Sequence, residues 1–367
     1  MSVFPDFFLK IVEDAGARQR GIGLDELVDF HAWVCSQAKV ETHVHVEAAT
    51  GKGFYENLDH PPSWRESCPW QRAPFQNLRG FIDAWVDLSK SMRAIVDFER
   101  MAEAFVEQRV ADNIVYSEAY VSPADFSFIR ERFSIASEVF QFENVVRAYL
   151  RGMKKALARN PGTEVRVIVD SLWISSNEER EIMHQAITNI LGDHEASCDS
   201  HGHPIVVGIG LGGMENHRFL NEQKEFFAKM RALGLKIDIH SGEGGTPELH
   251  KTSVEALVPD RVAHGFAGVE AKFLFADNLV MCPLSNILLN TYQGPVVNHP
   301  VFDCLRQGVP VSIGSDDPLL LGNSLSLEYT LIHAVTGQGR EAFAVTQKNA
   351  RERVFAPSVL RRVFETK

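Results

Sequence analysis

The segment Leu235-Lys-Ile-Asp-Ile-His240, a helical pattern near Pro247 to Leu257, and Arg261-Val-Ala-His264 decide the fold. Both short runs carry apolar residues and end on a histidine, and a helix separates them. That is a strand–helix–strand unit, and strands linked this way run parallel. The alternation extends in both directions. Upstream, Ile205 to Leu211 reads as a strand before a helix at Asn216 to Leu233, and Glu164 to Asp170 as one before a helix at Asn177 to Leu191. Ile114 to Tyr120 precedes a helical stretch at 133–158, and Ala38 to Val46 precedes one at 79–109. Downstream, Asn278 to Cys282 is closed by Pro283, and a helix at Val301 to Gln307 leads to Val309 to Ser315. Eight strands alternating with helices predict an α/β fold, a (β/α)8 TIM barrel, with a doubly wound open sheet as the alternative.

Residues 1–37 carry apolar positions at helical spacing and predict N-terminal helices ahead of the first strand. Residues 50–78 are broken by Gly51, Gly53, His60-Pro-Pro62, Cys68-Pro69 and Ala73-Pro74, with aromatic residues such as Trp64 and Trp70 between them. A long irregular insertion after a strand serves as a lid or as a packed loop. The insertion as a whole covers 50–95. The polar stretch 192–203 reads as a solvated loop. Barrels of this length run as one unit, so 1–367 is expected to be a single domain.

The 367 residues are 45% hydrophobic and 23% charged, which is globular composition, and the net charge is -11. An acidic surface disfavours a nucleic-acid polymer as partner and leaves small molecules open. Five cysteines (Cys35, Cys68, Cys198, Cys282, Cys304) form no Cys-x-x-Cys pair, and no apolar run reaches membrane-spanning length. With no basic, apolar leader at Met1 to Lys10, a reducing, cytoplasmic location is expected, with no membrane partner.

In a barrel the C-terminal strand ends form one rim, where such enzymes place their chemistry. The polar residues at those ends are His43 and His45, Glu118, His240, His264 and Asp316-Asp317. His43 and His45 sit one residue apart in a strand and project to one face. Together with His240 and one aspartate they make a four-donor site with room for a water, suited to zinc. His264 is placed to orient that water. Glu243, three residues past His240 among Gly242, Gly244 and Gly245, is placed to act as an acid. The combination describes metal-assisted hydrolytic attack on carbon. Gly208-x-Gly210-x-x-Gly213 imitates a dinucleotide fingerprint, but it lies mid-chain with strands on both sides. His45-Val-Glu47 imitates the cytidine-type deaminases, which need a Pro-Cys-x-x-Cys that this chain lacks.

Five stretches in order, Glu41-Thr-His43-Val-His45, His240-Ser-Gly-Glu243, Val262-Ala-His264-Gly265, Cys282-Pro-Leu-Ser285-Asn286 and Ser315-Asp316-Asp317-Pro318, resemble the motif series of the adenosine/adenine deaminase family of metal-dependent amidohydrolases. The resemblance spans residues 38–330. It implies a zinc-dependent barrel enzyme, one Zn2+ per chain, that replaces the 6-amino group of adenosine or a related 6-aminopurine by oxygen and releases ammonia. By position, His43, His45, His240 and Asp316 resemble the metal ligands, with Asp316 also counted among the catalytic groups. Glu243 resembles the acid that protonates the ring nitrogen beside the attacked carbon, and His264 the partner of the attacking water. Asp317 resembles the carboxylate that holds a nitrogen of the five-membered ring. Gly213 resembles the glycine whose amide meets another ring nitrogen, and Glu47 an acidic residue facing the sugar. Ala48, Tyr120, Gly210 and Ser241 depart from the family pattern. The alternatives are a metal-dependent hydrolase of another aminated, ester or amide substrate, and a non-catalytic purine-binding relative.

Overall fold

The computed structural model describes residues 3–59, 74–128, 140–272 and 278–365. Eight parallel strands follow one another around a barrel in chain order: β1 (Lys39–Glu41), β2 (Ile114–Val121), β3 (Glu164–Leu172), β4 (Val206–Gly212), β5 (Lys236–Ser241), β6 (Arg261–His264), β7 (Leu279–Met281) and β8 (Val311–Ile313). The β2–β3 register runs from Tyr116 opposite Glu164 to Val121 opposite Val169. Closure comes from the parallel bridge between Val44 and Asp316, where His45 N donates to Asp316 O at 2.9 Å. Gly314 permits that approach, because a Cβ there would stand 2.6 Å from the His43 carbonyl oxygen. The (β/α)8 barrel expected from the alternation is the fold, and the open sheet is excluded.

Most strand positions are buried on both faces, which is why they read as apolar runs. The barrel floor is polar instead. Arg261 Nη1 donates to Glu118 Oε2 at 2.5 Å, its Nε donates to Asp238 Oδ2 at 2.8 Å, and its guanidinium lies 4.0 Å from the Phe355 ring. Glu118 therefore sits inside the barrel in a paired charge network and not at the functional rim.

Several boundaries differ from the sequence reading. The expected strand at 38–46 pairs continuously only over Lys39–Glu41, after which single bridges hold Val44 and His45 and a short helix begins at Val46. The stretch 79–109 is two helices, Leu78–Ser89 and Ile95–Ala111. The Asp97 carboxylate breaks it by accepting from Arg93 N at 2.9 Å and Ala94 N at 2.8 Å, which satisfies free donors at the second helix's start. The 192–203 loop is tied down: Cys198 is buried and Asp199 Oδ2 accepts from Arg166 Nη2 at 2.6 Å. The N-terminal segment is helical at Asp6–Asp14 and Leu24–Ser36. Three further helices, Leu325–Thr336, Gly339–Glu352 and Pro357–Glu365, complete the shell. Within the insertion, Lys52–Glu56 is helical, while His60-Pro-Pro62, Trp64, Cys68, Trp70 and Ala73, and residues 133–139 of the later helix, lie outside the described residues. The other four cysteines are free thiols, and among the described residues no helix is long and apolar enough to cross a membrane.

Candidate metal centre and active-site cavity

The segment after β1, the ends of β5 and β6, and the turn after β8 bring four imidazoles and a carboxylate together at the barrel mouth. His45 Nε2 lies 3.1 Å from His240 Nε2 and 3.5 Å from Asp316 Oδ1, and His43 Nε2 lies 3.2 Å from the same Asp316 oxygen. His43, His240, His264 and Asp316 offer donor atoms all within 4.8 Å of one another, as do His45, Asp316 and Asp317. Ligand atoms about 2.0–2.1 Å from a tetrahedral zinc stand roughly 3.4 Å apart, so the His45–His240, His45–Asp316 and His43–Asp316 spacings fit such an ion.

The protonation states fit as well. Burial holds the His43 and His45 imidazoles down to about 3, and burial with His45 alongside holds His240 well below its ordinary value. All three are neutral lone-pair donors. Burial opposes ionisation of Asp316, but the neighbouring His264, His43 and His45 outweigh it and hold the carboxyl well below its ordinary range.

A second set of contacts orients these groups. The His240 Nδ1 donates to Leu211 O at 3.1 Å, which leaves Nε2 free to face the site. Ser285 Oγ donates to Asp316 Oδ2 at 2.6 Å, and Asn286 Nδ2 lies 3.0 Å from His264 Nδ1. Both come from one short helix, Pro283–Leu288, whose Leu284 and Ser285 amides donate to the buried Glu328 carboxylate at 2.8 and 3.3 Å. Asp316 and His264 adopt left-handed backbone, with φ of 63° and 65°. Non-glycine residues held there store strain, and such strain concentrates at functional sites.

Glu243 faces this cluster, its Oε2 3.7 Å from His264 Nε2 and its side chain 12% exposed. Burial pushes its carboxyl up to about 7 against the pull of His264, with the charges of Asp316 and Glu215 adding to the rise. Glu215 was not expected to have a role, yet it builds the Glu243 loop. Its Oε1 accepts from the Glu243, Gly244 and Gly245 amides at 3.0, 3.1 and 3.0 Å. Its Oε2 accepts from Gly242 N at 3.0 Å and Ser241 Oγ at 3.3 Å.

A cavity of about 370 Å³ opens onto the cluster, lined at its inner end by His45, His240, Glu243, Asp316 and Asp317. His43 and His264 are fully buried and do not line it. Gly213, with φ of 81°, forms part of one wall. Burial, with the Asp316 charge beside it, raises Asp317 well above its ordinary value, and its Oδ1 has no hydrogen-bond partner. Glu47, expected to face a sugar, is not part of the lining. Its Oε1 accepts from Tyr149 OH at 2.6 Å and Ser122 N at 2.8 Å, and burial pushes it up to about 7. Of the departures from the family pattern, Tyr120 packs 5.0 Å from the ring centres of His43, His45 and His240. Ser241 bridges Glu215 and His250.

Known proteins resemble this chain in sequence and in fold. A family model described as adenosine deaminase matches residues 61–365. The adenine deaminase of Paraburkholderia phytofirmans is 28% identical over 305 residues, covering 79% of this chain and 81% of the relative. An adenine deaminase structure from Arthrobacter aurescens superposes with a TM-score of 0.70 at 21% identity, covering 90% of this chain and 99% of that one. An amidohydrolase from Burkholderia ambifaria with bound zinc gives 0.69 at 20% identity, covering 94% and 92%. Both superpositions show the fold.

Proposed function

The chain belongs to the adenosine deaminase family, and from that premise we propose that it is a metal-dependent aminohydrolase: water replaces the exocyclic amino group of a 6-aminopurine, giving the 6-oxo product and ammonia. The observation that carries the reading is one cavity that reaches His45, His240 and Asp316 of the donor cluster and is also lined by Glu243, a carboxylic acid poised to give up a proton near neutral pH.

His43, His45, His240 and Asp316 would hold the ion, and zinc suits three neutral imidazoles with one carboxylate. When bound, zinc supplies Lewis acidity that makes water a usable nucleophile at neutral pH. The chain's own groups perform the proton work. Glu243 gives its proton to the ring nitrogen next to the attacked carbon, so the electron pair pushed into the ring is neutralised as the carbon–oxygen bond forms. His264 has Nδ1 beside Asn286 and a buried Nε2 without a partner, so it is oriented to hold the attacking water and take its proton. His264 then passes its proton to the amino group, which leaves as ammonia as the carbon–nitrogen bond breaks, while the Glu243 carboxylate takes the remaining proton of the added hydroxyl, so the oxo group forms and the ring nitrogen keeps its proton. Asp317 offers its unpartnered Oδ1 to a ring N–H, and the Gly212–Gly213 turn brings backbone close to the ring edge. A burial-raised acid and a histidine beside the same donor cluster match the demands of hydrolytic deamination.

The test is ammonia release from a panel of 6-aminopurines by the zinc-loaded protein and its Glu243→Gln variant. The expected loss in kcat is on the order of 100-fold or more, the range for a general acid. Equal rates would remove Glu243 from the mechanism, and product without ammonia would point to ester or amide hydrolysis.

A further inference from the structure

The cavity contains a feature that the deamination chemistry leaves unused. Asp170, at the end of β3, is 4% exposed, lines the cavity, and has an Oδ1 without a hydrogen-bond partner. The chain makes room for it on the neighbouring strand. A Cβ at Gly210 would stand 2.7 Å from Asp170 Oδ1, and a Cβ at Gly212 would stand 2.4 Å from its Oδ2. The glycines of the stretch that imitates a dinucleotide fingerprint thus serve to admit a carboxyl group. Asp125, also on the lining, receives a hydrogen bond from Trp85 Nε1 at 3.0 Å. Burial opposes charge on both groups, and the nearby Asp125 and Glu47 raise Asp170 further. Among the described residues the single arginine or lysine on the lining is Arg79, whose side chain is 76% exposed and is paired with Asp83.

A buried acceptor without a donor costs free energy until a ligand supplies the hydrogen. Among the described residues the lining also has no buried cation to supply the counter-charge that a phosphate needs. Resting on the aminopurine reading above, we propose that Asp170 and Asp125 form a subsite for a hydrogen-bond-donating, non-anionic substituent on the purine, hydroxyl or amine, and that the subsite excludes nucleoside monophosphates. Asp170 accepts the donor directly. Asp125, fixed by Trp85, presents its second oxygen, and the aliphatic and aromatic wall formed by Leu172, Trp85 and Phe81 covers the carbon frame of the substituent.

The experiment is calorimetric titration of hypoxanthine, inosine and inosine 5′-monophosphate into the full-length zinc-loaded protein and its Asp170→Leu and Asp170→Asn variants. For the native protein, inosine should bind about tenfold tighter than hypoxanthine and roughly 100-fold tighter than the monophosphate. In Asp170→Leu the inosine-to-hypoxanthine ratio should collapse towards one, and the isosteric Asp170→Asn, which keeps one acceptor oxygen, should fall between. Equal affinity of the native protein for inosine and its monophosphate overturns the proposal and needs no variant to fold. An inosine-to-hypoxanthine ratio that is the same in native protein and Asp170→Leu also overturns it. The outcome separates from that of the ammonia assay. The expected binding order without ammonia from any 6-aminopurine leaves the subsite standing and removes deamination. Ammonia released as readily from the 5′-monophosphate as from the nucleoside keeps deamination and removes the subsite.

Discussion

Glu215→Gln isolates the groups that position the proposed acid. The Glu215 carboxylate accepts five hydrogen bonds from Ser241, Gly242, Glu243, Gly244 and Gly245, three on Oε1 and two on Oε2. Glutamine keeps one acceptor oxygen and puts an NH2 where the other stood, so the better-placed oxygen can serve only the three amides at Oε1. The Gly242 amide and the Ser241 hydroxyl then face a donor. Hydrogen bonds to a charged acceptor contribute about 1.5–3 kcal/mol each, so losing two, at a partly exposed site, costs roughly 2–4 kcal/mol of loop stability. Displacing a reacting group by about 1 Å costs on the order of 100-fold in rate. Zinc-loaded Glu215→Gln should therefore show kcat for ammonia release reduced by roughly 30–100-fold with its metal content intact. A second readout distinguishes this from general loosening. The Glu215 charge helps to raise Glu243, so in the variant the fall of kcat on the alkaline side should move to lower pH. A kcat within threefold of native and an unmoved pH profile would refute the reasoning.

Three other outcomes are expected. Ser285→Ala removes the 2.6 Å hydrogen bond to Asp316 Oδ2 and should weaken zinc binding by about 10–100-fold in chelator competition, the usual cost of a lost partner behind a ligand. Gly210→Ala places a methyl 2.5 Å from Tyr120 Cε1, and overpacking of this kind should lower denaturation free energy by about 1–3 kcal/mol. In metal-free protein, burial raises Asp125 to about 6 and Glu47 to about 7, so the folded state keeps protons that the unfolded chain releases. Their contribution is fully present below the unfolded values near 4 and is lost as pH rises through 6 to 7. In urea denaturation the stability difference between native protein and Asp125→Asn should be smaller at pH 8 than at pH 5 by on the order of 1 kcal/mol, and likewise for Glu47→Gln, a comparison that cancels the opposite contribution of the buried histidines. A difference that stays the same between pH 5 and pH 8 would contradict the burial of these two carboxyls.

The barrel was legible because strands buried on both faces leave apolar runs, and the helices between them leave a different period. The metal-site candidates were legible because those runs stop on histidine or aspartate, as at His240 and His264. Other features depend on how the chain returns on itself. Nothing in the spacing of Glu215 shows that residues 241–245 fold back over its carboxylate. Asp170 reads as the last residue of a strand, and its function as a lining group depends on two missing side chains on β4. Glu47 follows the His-x-His pair closely enough to look like a lining residue, but the helix starting at Val46 turns it towards Tyr149 and Ser122. The break before Ile95 rests on Asp97 capping the backbone, a contact that the apolar periodicity of 79–109 does not reveal.

The most direct test of the account is the metal content of purified protein, measured by elemental analysis on native chain and on His240→Ala, together with ammonia release from a 6-aminopurine. The account predicts close to one zinc per native chain, a marked loss in the variant, and activity that disappears and returns with the metal. Native protein that releases ammonia at full rate with no stoichiometric transition metal would contradict it.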